Sequence, residues 1–162
     1  MMLRRAFLLL ASVFVLPACD PGKGAHAEFE CDAGEAAVRH LIASLPELNP
    51  GVAKNYSIVL GEITRTGGMT PASDAFAKRF DDLKLAFVNA INLTTIEPGP
   101  IIVENKTRLA TFVLQLRDLR STGPGAWEAA LGWSYKDQFG RLKITLATQN
   151  GRIAVTSSQK AD

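Results

Sequence analysis

Two cysteines and two histidines in 162 residues leave little material for site chemistry. A structural zinc site takes four Cys, His or carboxylate ligands in local pairs, and this chain has no such pairs. Acid–base catalysis near neutral pH draws most often on histidine. Here His26 stands in a Pro/Gly-rich stretch and His40 falls on the polar side of a predicted helix. There is no Gly-x-Ser-x-Gly elbow, no phosphate-cradling glycine loop followed by Lys-Ser/Thr, and no dinucleotide fingerprint. Neither a metal nor a cofactor is expected. Long apolar runs are lacking too. The longest, Ala6 to Leu16, is broken only by Ser12 and falls far short of the roughly 20 residues that span a bilayer.

Excess charge is also missing. Lys and Arg number 18 against 16 Asp and Glu, and the surplus is Arg4 and Arg5. Beyond them the chain is neutral. Nucleic-acid binding needs a clustered basic surface, so no nucleic-acid partner is expected.

What is present begins with an address. A basic start, Met1-Met2-Leu3-Arg4-Arg5, precedes the apolar run, which ends in Leu16-Pro17-Ala18-Cys19. A short basic region, an apolar core and a small residue at the cut are the parts of a secretory leader. The segment resembles the signal peptide of a bacterial lipoprotein, with Leu16 and Ala18 in the lipobox and Cys19 as the lipidated residue. The resemblance implies cleavage after residue 18, a palmitate-type anchor on Cys19 and a domain facing the periplasm. Asp20 resembles the inner-membrane retention signal of enteric lipoproteins. The alternative is a soluble periplasmic protein cut at Ala25-His26-Ala27. With Cys19 lipidated, Cys31 reads as an incidental thiol; otherwise a Cys19–Cys31 bridge would close a small loop.

The chain divides into three parts: a signal peptide over 1–18, a lipidated tether over 19–31, and a single globular domain over 32–162. Asp20 to Glu30 has the Pro/Gly-rich character of a spacer. Asp32 with Glu35 forms a capping-box pattern for a helix over Ala33–Leu45, whose stripe is Val38, Leu41, Ile42 and Leu45. Residues 52–66 read as a strand through the alternation of Tyr56, Ile58 and Leu60, with a helix opened by Pro50 as the rival. The periodicity of Ala72, Phe76, Phe80, Leu83, Phe87 and Ile91 predicts a long helix over 71–91, capped by Thr70. A Pro/Gly-rich connection spans 94–100.

From Leu109 to Val155 the pattern predicts four antiparallel strands in a meander. Phe112, Leu114 and Leu116 share one parity. Trp127, Ala129, Leu131, Trp133 and Tyr135 alternate with polar or small residues, and Asn150-Gly151 is a strong hairpin signal. Arg117, Arg141, Lys143 and Arg152 share the outward parity, either a solvated face or a basic stripe. Asp118 and Tyr135 are the ionisable groups on the inward parity. The fold class is α+β, with N-terminal helices packed on a C-terminal meander sheet of about four strands.

This element order, with the aromatic strand Trp127–Tyr135, resembles the cystatin-like group that includes the nuclear-transport-factor-two-like domains. The resemblance implies a sheet closed around helices, which often leaves a pocket. Enzymes of that group place an acid/base pair on the pocket wall, whereas the inward positions here are almost wholly apolar. The expected function is therefore non-enzymatic. It is a membrane-anchored envelope module that binds a protein partner or an apolar small molecule, with Trp127, Trp133 and Tyr135 as the residues to watch. The alternative is a cystatin-like-fold enzyme, or a small-apolar-ligand binder, using a sheet pocket.

Overall fold

A computed structural model describes residues 26–99 and 101–162. The leader, Cys19 and the first part of the tether lie outside the described residues. Packed structure begins before the expected domain boundary. His26 accepts backbone hydrogen bonds from Phe29 and Glu30, and Phe29 packs on the core.

Helix α1 spans Asp32–Ala43. Ala33, Ala37, Val38 and Leu41 are fully buried at helical spacing, which fixes the face it turns inward. Its N-cap is Cys31, in extended conformation and without a side-chain cap bond. Glu35 does not close the expected capping box; it binds Arg39 and Arg79 instead.

The strands are β1 (Asn55–Leu60), β2 (Thr70–Pro71), β3 (Leu93–Ile96), β4 (Ile101–Glu104), β5 (Thr111–Gly123), β6 (Ala126–Tyr135), β7 (Gln138–Gln149) and β8 (Arg152–Ala161). Six of them form one sheet in the order β2-β1-β5-β6-β7-β8, and β3 and β4 form a separate hairpin. The architecture is α+β with a mostly antiparallel sheet. Strands β5 to β8 are the expected meander, closed by Asn150 and Gly151 at φ of 50° and 76°, the left-handed pair that a tight hairpin requires. Strand β1 confirms the strand reading of that segment, but it runs parallel to β5, with Ile58 opposite Leu114.

The long helix over 71–91 is corrected. Thr70 and Pro71 pair with Leu60 and Val59 as β2. Ser73 becomes the cap of a short α2, Asp74–Ala77, accepting from the Phe76 N–H at 3.1 Å. A 3-10 turn comes next over Lys78–Leu83 and stops at Lys84, which is left-handed at φ 55°. The chain then runs extended beside β1, where the Tyr56 N–H donates to Ala86 at 2.9 Å and the Val88 N–H donates to Tyr56 at 2.8 Å. Phe76, Phe80, Leu83 and Phe87 still reach the core. Their burial required only that they face one way, and pairing with β1 outweighed helix propensity. The expected layout of helices packed on the sheet thus reduces to α1, which lies against β5, β6, β7 and β8.

The expected connection is likewise more ordered at 94–96, which belong to the β3–β4 hairpin. Its Leu93 and Ile102 join Met69 over Val59, Ala90 and Val113, forming a second apolar cluster apart from the main core. Next to it, Glu104 accepts from the Thr107 N–H at 2.6 Å. The backbone N–H groups of Thr107 and Lys106 hold its carboxyl below the ordinary 4.5. A carboxyl depressed on folding contributes stability that is complete above its unfolded value and is lost as pH falls through the folded one. We expect wild type to exceed Glu104→Gln in urea midpoint at about pH 7, and the difference to shrink at about pH 3.

Candidate functional site

The three aromatics singled out in the sequence part company in the structure. Tyr135, which is buried, and Trp133, which is half-buried, belong to one ring cluster. Phe112 stacks on Tyr135 at 4.3 Å between centroids and on Tyr56 at 5.5 Å, with Trp133 at 6.1 Å. Burial, and then the neighbouring Tyr135, push the Tyr56 phenol above its usual value. The Trp133 indole lies over Gly140, where a Cβ would come within 2.5 Å of its Nε1. These rings are packing.

Trp127 is different. It sits at the opposite end of β6 and is 8% exposed. Its remaining surface opens into a cavity of about 330 Å³ between α1 and the β7–β8 hairpin. Helix α1 supplies Asp32, Glu35, Ala36 and Arg39, a single helical face. Thr148, Gly151, Arg152 and Ile153 form the facing wall. The Thr148 hydroxyl is buried and has no hydrogen-bond partner, which is costly for a polar group away from water.

The helix wall is tied down by charge. Arg39 binds Glu35 at 2.8 Å, Asp82 at 2.9 Å and the Arg79 carbonyl at 2.6 Å. Arg79 binds Asp32 at 3.0 Å and Glu35 at 3.1 Å. The hydrogen bonds to Asp82 and then Glu35 raise the Arg39 pKa, and Arg39 in turn lowers that of Asp82. These pairs are partly exposed and worth little individually. Together they tie this face of α1 to the turn over Lys78–Leu83. Arg152 is in none of the ion pairs among the described residues.

The chain finds no match among protein-family models, curated proteins or solved structures. The reading of this site therefore rests on its geometry.

Other sequence candidates are dispersed. Strict alternation puts Asp118 inward, but a β-bulge between Leu116 and Asp118 turns it outward, opposite Ala130. There it lines a groove of about 410 Å³ on the open sheet face, with Arg120, Glu128 and Lys143. The outward basic stripe is interrupted: Arg117 binds Glu62 at 2.7 Å, and Arg152 lines the Trp127 cavity while Lys143 lines the other groove. Cys31 is disulfide-bonded here, the second of the two readings that the sequence leaves open for it. The other cysteine of the sequence, Cys19, lies outside the described residues. His40 lies 3.0 Å from the Ser158 hydroxyl. Among the described residues no three potential ligands converge on a metal site, and no helix is long and apolar enough to cross a membrane.

Thr148, Ile153 and the α1 carboxylates are site residues that sequence reading missed. The one available signal was the i, i+3, i+4, i+7 spacing of Asp32, Glu35, Ala36 and Arg39, which resembles any solvated helix face.

Proposed function

We propose that this protein is a membrane-anchored envelope lipoprotein whose α+β domain is a non-enzymatic binding or assembly module, with the Trp127 cavity as its site. The lipobox reading supplies the address: a lipid on Cys19 holds the domain at the periplasmic face, of the inner membrane if Asp20 acts as a retention signal. The observation that carries the binding role is Trp127 in the wall of a cavity between α1 and the β7–β8 hairpin. An apolar group seated there covers the indole. A cystatin-like layout, with α1 covering an aromatic sheet, is in keeping with such a cavity at one end.

Proton transfer is a poorer account of the same residues. A general acid needs a carboxyl whose pKa is raised. Asp32 and Glu35 are each bonded to arginine, and the carboxyls that shift, Asp82 and Glu104, shift down.

Two measurements test the proposal. Intact mass of the membrane-extracted protein should show a start at Cys19 with added acyl mass; an unmodified start at Glu28 would mean a soluble periplasmic protein. A thioether lipid and a Cys19–Cys31 bridge each use the Cys19 sulfur, so the lipidated form carries no such bridge. For the cavity, the uncharged dye phenylnaphthylamine should bind saturably. Trp127→Ala should weaken it by about 30-fold, the size of a binding hot spot. Ala36→Met, which fills the cavity and spares the tryptophan, should weaken it too. Dye affinity unchanged in both variants would exclude the cavity.

A further inference from the structure

We infer that an extended segment of a partner protein adds to the free edge of β8 and seats an apolar side chain in the Trp127 cavity. The inference rests on the cavity being the binding site, and it specifies what enters. Strand β8 is the outermost strand of the six-stranded sheet. The sheet's other edge is β2, two residues long and containing Pro71. Short length and proline are how edges are protected against pairing. Strand β8 has ten residues and no proline, and Thr156 to Lys160 are exposed without interruption. Among the described residues no strand lies beyond it.

The place of this edge decides the occupant. Helix α1 packs against β8, with His40 3.0 Å from the Ser158 hydroxyl. The cavity opens between the two elements, with Ala36 on the helix and Ile153 on the strand. A helix beside an open strand edge, with an apolar pocket between them, suits an extended backbone. Its N–H and C=O groups complete the edge, and a side chain at the Arg152–Ile153 end of the strand reaches the pocket. The charged side chains of β8 are Arg152 and Lys160, and neither is in an ion pair among the described residues. The complementary segment is therefore apolar at alternate positions and acidic at its ends.

The probe is a synthetic octapeptide alternating leucine and threonine between terminal glutamates, added to the full chain. It should bind saturably and slow hydrogen exchange of amides in 152–161 by at least about tenfold, as new edge hydrogen bonds do. A version with a central proline, which cannot extend a ladder, should bind at least about tenfold more weakly. Lys160→Glu should weaken the acidic peptide and favour one ended by lysines. Phenylnaphthylamine binding together with no peptide binding would overturn the strand addition and leave the cavity reading standing. Peptide binding without protection of β8 would do the same. Failure of dye and peptide alike would overturn both.

Discussion

Replacing Gly34 with alanine is expected to cost about 3 kcal/mol and to lower the thermal midpoint by roughly 10 °C. Gly34 is buried in α1, and a Cβ there would lie 1.8 Å from the Phe29 carbonyl oxygen and 3.3 Å from Leu116 Cδ2. No rotamer relieves a contact between a Cβ and a backbone oxygen. Either α1 lifts from the sheet or the turn over 26–31 lifts from α1. The second route is cheaper, because that turn is short. It still sacrifices the Phe29 packing, the Cys31 N–H bond to Phe29, and the grip of Glu30 on Ser73 at 2.6 and 2.7 Å. Calorimetry gives the size of the effect. Hydrogen exchange tells the routes apart: loss of protection before residue 32, with α1 still protected, is the expected pattern.

Phe112→Ala is expected to cost about 3–5 kcal/mol, comparable with the whole stability of a marginal domain. Phe112 lies between Tyr56 and Tyr135, 2% exposed, with Trp133 against it. Removing it leaves a void walled by large rings that are held by β1 and β6, so collapse into the space is restricted. The Tyr135 hydroxyl, already buried without a partner, gains no compensation. Chemical denaturation should show a lower midpoint with an unchanged slope, and Phe112→Leu should recover more than half of the loss.

The parts of the fold that could be read from the chain are those whose cause is local. The alternation of Trp127 to Tyr135 against small and polar neighbours, and Asn150-Gly151 as a turn, need no distant partner to be recognised. The segment over 71–91 misled because phenylalanines four apart satisfy a helical template. Their burial was correct and the backbone between them was not, since pairing with Tyr56 was invisible from either segment alone. Asp118 failed for a related reason: one bulged residue reverses the face of every strand residue beyond it. The parallel pairing of β1 with β5 joins residues more than fifty positions apart and leaves no local trace. The cavity is the extreme case. Its walls are Asp32 to Arg39 and Thr148 to Ile153, and nothing in either stretch announces the other. Trp127 could be picked out as a large aromatic on the inward face, but its separation from Trp133 and Tyr135 depended on where the first turns of α1 lie.

The two tryptophans make the most direct test of the account. In a nitrogen-15 spectrum each indole N–H gives its own signal, assigned by single Trp→Phe replacements. On titration with phenylnaphthylamine the Trp127 signal should shift saturably while that of Trp133, at the other end of β6 and away from the cavity, stays in place. A Trp127 signal that does not move, or a Trp133 signal that moves in its stead, would show that the cavity between α1 and the β7–β8 hairpin is not where this protein binds.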